Sequence, residues 1–191
     1  DEIAMKFDID DMGEVNYLLG MRITRDDNYG EFSLDQEAMI SRLLRNHNIT
    51  EKRRTPCDRE IRLLKSKTED ETPADKHIYQ SKIGSLLFIA RYTRPDISYP
   101  VAFLARFSHD PGTTHMQAVD RILMYLNQTM TTAKFSIKPT ETGETWEVET
   151  YADADYADHS DSTESTSGMA LYLSGTLISW NSTRQKCTSQ S

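Results

Sequence analysis

Cysteine is nearly absent from this chain, with two in 191 residues. Cys57 and Cys187 are far apart, and neither has a Cys or His nearby at metal-ligand spacing, so neither a disulfide scaffold nor a zinc ribbon is expected. A reducing compartment is the simplest inference. No run of 18 apolar residues occurs, which leaves no candidate membrane-spanning helix, and the acidic start does not read as a signal peptide. The expectation is a soluble, intracellular chain with no membrane partner. Hydrophobic residues make up 37% and mean hydropathy is -0.63, enough for a core in a rather wet protein. Net charge is -8, so the surface as a whole does not suit phosphate backbones, which need clustered Lys and Arg.

Basic residues are also unevenly spread. From Glu141 to Glu164 there are nine acids and no Lys or Arg, whereas Arg42 to Lys67 holds nine basic residues against Glu51, Asp58 and Glu60. That asymmetry suggests a basic strip able to hold a nucleic-acid backbone and an acidic end that needs metal ions to approach one. An exposed basic loop is an equal reading.

The acidic end has an order of its own. Read as a strand, Glu147 to Asp158 sends Trp146, Val148, Thr150, Ala152 and Ala154 to one face, which is expected to pack. Glu147, Glu149, Tyr151, Asp153 and Asp155 go to the other. Asp153 and Asp155 would then stand roughly 7 Å apart on one side of a sheet. Two hard oxygen ligands so placed suit Mg²⁺ or Mn²⁺. A solvated strand face explains the same residues.

Along the chain, Gly13 marks a turn. Tyr17 to Ile23 reads as a strand, with a hairpin turn at Asp26 to Gly30 leading into Phe32-Ser33-Leu34. Ala38, Ile40, Leu43, Leu44 and His47 recur at helical spacing, with Ser33 or Asp35 as N-cap. Residues 55 to 76 read as loop or linker. Ile78, Ile83, Leu86, Leu87 and Ala90 predict a helix, and Gly84 within it suggests close packing. That helix ends before Thr93-Arg94-Pro95, because the residue before proline is pushed out of the helical region. Asp96 is then expected to cap a second helix through Val101, Leu104 and Phe107, with Pro100 in its first turns. A third helix starts at Thr114 and carries Met116, Val119, Ile122, Leu123 and Leu126. Strands are expected at about 133 to 138, 145 to 155, 167 to 173 and 176 to 181, a meander with one apolar face and one edge open. His109 and His115 flank a turn, where hydrogen bonding is a better account than metal binding. No Ser-His-Asp or Cys-His set emerges.

Several ordered blocks resemble copia-type retrotransposon polyproteins. Tyr151-Ala152-Asp153-Ala154-Asp155-Tyr156-Ala157-Asp158, Ser165-Thr166-Ser167-Gly168, Ile178-Ser179-Trp180-Asn181-Ser182 and Gln185-Lys186 resemble the start of the family's ribonuclease H domain. Tyr17-Leu18-Leu19-Gly20, Leu34-Asp35-Gln36 and Thr55-Pro56 resemble the end of its reverse transcriptase. Tyr79 to Leu87, Thr93-Arg94-Pro95-Asp96-Ile97 and Arg121 to Leu126 resemble the helical connection between the two. The sequence departs from the family at Tyr156, where tryptophan is common, and at Asp158, where glycine is common.

What the resemblance implies is an α+β fold in three parts. Residues 1-59 would be the end of a polymerase palm and thumb, 60-130 a linker and helical connection, and 131-191 the first strands of a truncated ribonuclease H-like mixed sheet. Asp153 matches the first catalytic, metal-binding aspartate of that fold, with Mg²⁺ or Mn²⁺ as cofactor; Asp155 has no assigned role. Arg53, Arg54, Arg94 and Arg121 are candidate contacts to an RNA/DNA hybrid, the implied partner together with the rest of the polyprotein; in the helical connection Arg91 and Arg106 are candidates too, and a structural salt bridge suits Arg91, Arg94, Arg106 and Arg121 as well. The polymerase Tyr-x-Asp-Asp block is not in the sequence, and Asp10-Asp11 does not match it. Two-metal hydrolysis needs carboxylates from several elements, and those the family places after the Trp180 strand are not in the chain either. Activity of this chain alone is therefore not expected. The implied location is cytoplasmic, in virus-like particles, with the nucleus as a second site. An alternative is a degenerate remnant acting as a non-catalytic binding or interaction module.

Overall fold

A computed structural model describes residues 6–8, 10, 13–26, 30–58, 61, 64, 65, 67, 69–138, 145–155 and 165–185. The expected hairpin turn at 27–29, Asp11, Gly143, Tyr156, Asp158, Lys186 and Cys187 lie outside the described residues, as does the side chain of Asp155. What is described is α+β, with four α-helices and two antiparallel sheets.

The first sheet has the order β1-β2-β3-β4, from β1 (Tyr17–Leu18), β2 (Met21–Asp26), β3 (Glu31–Asp35) and β4 (Phe135–Ile137). The single strand expected from Tyr17 to Ile23 is broken into a hairpin, with Leu18 paired to Met21. Leu19 and Gly20 form the turn with φ of 51° and 80°. Two left-handed residues in succession match the right-handed twist of a two-residue hairpin, at some cost for Leu19, whose Cβ disfavours that region. A second correction concerns 133 to 138. Only Phe135–Ile137 is strand, and it pairs with β3, Phe32 opposite Ile137, instead of opening the C-terminal meander.

Four helices follow from the apolar spacing: α1 (Glu37–Asn46), α2 (Lys76–Tyr92), α3 (Ser98–Ala105) and α4 (Thr113–Thr129). The N-cap position of α1 is Gln36, not Ser33 or Asp35, although Asp35 Oδ1 accepts the Glu37 N–H at 3.2 Å. Asp75 caps α2 by accepting the Ile78 N–H at 3.0 Å. Helix α2 ends at Tyr92, two residues before Arg94-Pro95, as the proline rule requires. A 3-10 turn, Pro95–Ile97, leads into α3, and Pro100 is tolerated in its first turn. The N-terminus of α4 is capped from a distance, since Glu71 Oε1 accepts both the Thr114 N–H and its hydroxyl, at 2.9 and 2.8 Å. These bonds, the backbone one first, hold the Glu71 carboxyl below its ordinary range. Gly112 makes room for this approach, because a Cβ there would overlap the Glu71 carboxylate.

The core lies between these helices. Ile40, Leu44, Tyr79, Leu86, Leu104 and Leu123 belong to one buried cluster to which all four helices contribute. Tyr79 is fully buried and donates its hydroxyl to the Leu104 carbonyl at 2.8 Å, and burial pushes its pKa up. His115, also fully buried, stacks on Phe107. Its Nδ1 accepts the Gly112 N–H at 2.9 Å, and Nε2 faces the Lys65 carbonyl at 2.8 Å. The proton is therefore on Nε2, and the ring ties the 65 segment to the start of α4. The hydrogen-bonding reading of this histidine holds. Gly84 does not mark close packing, since a Cβ there would meet nothing within 4 Å.

The second sheet runs β5 (Val148–Asp155), β6 (Thr166–Leu173), β7 (Thr176–Arg184), all antiparallel. It rests on the helices through β7. Trp180 Nε1 donates at 2.8 Å to the carbonyl of Ala90, one of the last-turn carbonyls of α2 that lack a helical partner. The Trp180 ring also meets Phe135 at 5.1 Å between centroids. No described helix is long and apolar enough to cross a membrane.

Candidate nucleic-acid interface and acidic strand

The basic segment is strapped to α4. Asn127 Nδ2 donates to the carbonyls of Thr50 and Glu51 at 3.1 and 2.9 Å, and the Arg53 amide donates to the Met124 carbonyl at 3.2 Å. Three bonds to one helix face fix the backbone of residues 50 to 53, so the side chains of Lys52, Arg53 and Arg54 leave it from a defined place. All three are exposed. Among the described residues, Arg53 has only a long 3.7 Å ion pair with exposed Glu51, a contact worth little in water. Arg121 reaches the segment from α4, donating from Nη2 to Asp58 at 2.8 Å and to the Thr55 hydroxyl at 3.0 Å. Its Nε is buried with no hydrogen-bond partner among the described residues. Beside these residues runs an open groove of about 990 Å³, lined by Arg53, Cys57, Asp58, Ile61, Arg121 and Met124. Burial pushes the Cys57 thiol up.

Arg94 is placed quite differently. Its side chain is 2% exposed and grips Asp96 in a two-point fork, Nε at 2.9 Å and Nη2 at 2.6 Å. Nη2 also donates to Thr129, and the guanidinium lies over the Tyr125 ring at 5.3 Å. Tyr125 in turn donates its hydroxyl to Asp96 at 2.6 Å. Burial alone would raise the Asp96 pKa, but the bonds from Arg94 and Tyr125 outweigh it and hold it below the ordinary range. Asp96 therefore does not serve as the expected helix cap. The Arg94 cluster joins the end of α2 to α4, which is the structural salt bridge expected as one of the two roles for this arginine.

Asp153 lies on β5, opposite Gly168, which is opposite Ser182. Directly paired residues share a sheet face, and the neighbouring row is Tyr151, Ala170 and Trp180. Since Trp180 points at α2, Asp153 is on the same face as the helices, displaced from them by two strands. It is exposed, and its Oδ1 accepts the Ala154 N–H at 2.9 Å. Tyr151 meets Tyr172 edge-on at 5.7 Å and donates its hydroxyl to Glu149 at 2.9 Å. The opposite face, expected to pack, is open: Trp146 is 67% and Val148 65% exposed. Its strand lies at a sheet edge, and no described helix covers it.

The described residues around Asp153 do not by themselves complete a metal site. Among the described residues no three His, Cys, Asp or Glu side chains converge. Asp153 supplies one exposed carboxylate among them, where Mg²⁺ or Mn²⁺ draws on several oxygen ligands.

Asn127 and Trp180 position these regions. Neither role was legible in spacing, because each acts through a backbone carbonyl distant in sequence.

No family model matches the chain, and no solved structure matches it. Curated proteins do. The chain is 33% identical over 197 residues to a retrovirus-related Pol polyprotein from transposon TNT 1-94 of Nicotiana tabacum, covering all of this chain and 14% of that protein. It is 36% identical to the corresponding polyprotein from transposon RE1 of Arabidopsis thaliana, covering 97% of the chain and 12% of the relative. A putative transposon Ty5-1 protein of Saccharomyces cerevisiae is 33% identical, covering 97% of the chain and 58% of that protein. The chain thus spans about an eighth of the plant polyproteins. It belongs to the copia-type retrotransposon Pol polyproteins.

Proposed function

We propose that this chain is the part of a reverse transcriptase and ribonuclease H polyprotein that holds the RNA/DNA hybrid, with α4 and its strapped basic segment as the grip. The observation that carries this reading is the fixing of residues 50 to 53 on α4 by Asn127 and the Arg53 amide. A pre-placed row of cations loses little entropy on meeting phosphates, and it sets register without reading sequence. Arg53, Arg54 and Arg121 form the contact; Arg94 serves the fold. Asp153 contributes one carboxylate to a nuclease centre completed by other parts of the polyprotein, where Mg²⁺ or Mn²⁺ would act. In the cell this part would work in cytoplasmic virus-like particles and, at integration, in the nucleus.

A second reading is a non-catalytic binding module, favoured by the helical body having a buried core of its own.

Binding of a labelled RNA/DNA hybrid, followed by anisotropy, tests the grip. Replacing Arg53 and Arg54 together by Gln is expected to weaken binding at least tenfold with an unchanged melting temperature. Unchanged binding would refute the grip. The chain alone is expected not to cleave the RNA strand. Mg²⁺-dependent cleavage lost in Asp153→Asn would show a complete centre and overturn that part of the reading.

A further inference from the structure

Thr55 sits where a phosphate would be received. It is exposed, it is preceded by Lys52, Arg53 and Arg54, and it is followed by Pro56. Proline at the next position keeps Thr55 out of helical backbone, and the chain bends through residues 54 to 57 with the hydroxyl exposed. Its hydroxyl oxygen already accepts from Arg121 Nη2 at 3.0 Å, and the same guanidinium has a buried Nε with no partner among the described residues. Arg121 is itself held by Asp58 at 2.8 Å. The pieces of an anion seat are thus gathered around one hydroxyl, and the strap to α4 keeps them in place.

We propose that Thr55 is a phosphorylation site for a proline-directed serine/threonine kinase, and that the phosphate is received by Arg121. Thr55 Oγ attacks the γ-phosphorus of ATP and forms the new O–P bond. The bond from that phosphorus to the β,γ-bridging oxygen breaks, ADP leaves, and the hydroxyl proton passes to the kinase base. The product adds about two negative charges and three acceptor oxygens beside the Arg121 guanidinium that already meets the hydroxyl, and next in sequence to Arg53 and Arg54. One modification therefore ties the segment more firmly to α4 and removes most of its positive field. Its effect on hybrid binding rests on the function proposed above; its effect on stability does not.

The experiment treats the full chain with such a kinase and Mg-ATP, locates phosphate by peptide mass spectrometry, and compares melting with and without phosphate in wild type and in Arg121→Gln. The expected result is phosphate on Thr55, absent from Thr55→Ala, and a rise in melting temperature of about 3 °C, the scale of one good charge-assisted contact in a chain of this size. That increment disappears in Arg121→Gln, and hybrid binding weakens about tenfold. No phosphate on Thr55 in the folded chain overturns the proposal. So does a melting increment that is absent, or equal in Arg121→Gln. A normal increment with unchanged hybrid binding leaves the phosphate seat standing and rejects the nucleic-acid grip instead.

Discussion

The helical body and the C-terminal sheet are built on opposite terms. In the body, Tyr79, Leu86, Leu104, Ile122 and Leu123 are fully buried; Tyr79 bonds a carbonyl and Arg94 Nε and Nη2 bond Asp96, whereas Arg94 Nη1 has no hydrogen-bond partner among the described residues. In the sheet, β5 is exposed along its described length, and Trp146 and Val148 face water. Burial of apolar surface is worth about 25 cal/mol per Å², so the body carries the stability and the sheet depends on its hold through Trp180. The difference separates the two proposed roles: a grip needs a fixed platform, and a metal centre needs further carboxylates around a strand that other elements cover.

Substitutions sharpen this comparison, beginning with the largest effect. Leu104→Ala is expected to destabilise the chain by roughly 3–4 kcal/mol in urea unfolding, because the surrounding helices only partly fill the cavity. A cost under about 1 kcal/mol would remove the contrast. Arg94→Met leaves Asp96 and Tyr125 without the cation that pairs them, and should cost about 2 kcal/mol, discounted from the fully buried case because Asp96 is 35% exposed. Trp180→Phe deletes the bond to Ala90 and should cost about 1 kcal/mol, read best as faster amide exchange in β7 with α2 unchanged. Gly84→Ala should stabilise by up to about 1 kcal/mol, since α2 gains helix propensity and the added methyl meets open space. Val148→Thr should stay within about 0.5 kcal/mol.

Acid should act on the body first. The folded-state pKa values of Asp96 and Glu71 both lie below their ordinary values of 3.8 and 4.5. The unfolded chain therefore binds these protons more readily, and the stability they contribute is present above those values and lost as pH falls through the folded ones. A pH-melting series should decline below about pH 4.5. Asp96→Asn, which removes one of the two groups, should flatten that decline.

Much of the fold was legible in the sequence because helices announce themselves locally. The 3.6-residue spacing of Ile83, Leu86 and Ala90, the stop before Pro95 and the run from Val119 to Leu126 needed no tertiary information. Pairing did. Phe135 to Ile137 looked like the first strand of a meander, but its partner is β3, about a hundred residues earlier, and alternation does not say which edge a strand joins. Trp146 and Val148 alternate as a packing face and yet lie open, because alternation shows which residues share a face and not what covers it. At the candidate site, the basic cluster was visible as charge density, whereas the distinction between Arg94 and Arg53 rests on burial. Asp153 was singled out by its family setting, and its isolation among the described residues appears only in three dimensions.

Hydrogen exchange resolved to peptides would test most directly whether the helical body carries the sheet. Slow exchange is expected in α2 and α4, close to the global unfolding limit, with β7 faster and β5 fastest. Protection of β5 equal to that of α4 would contradict this, showing one cooperative unit in which the sheet does not depend on the helical body.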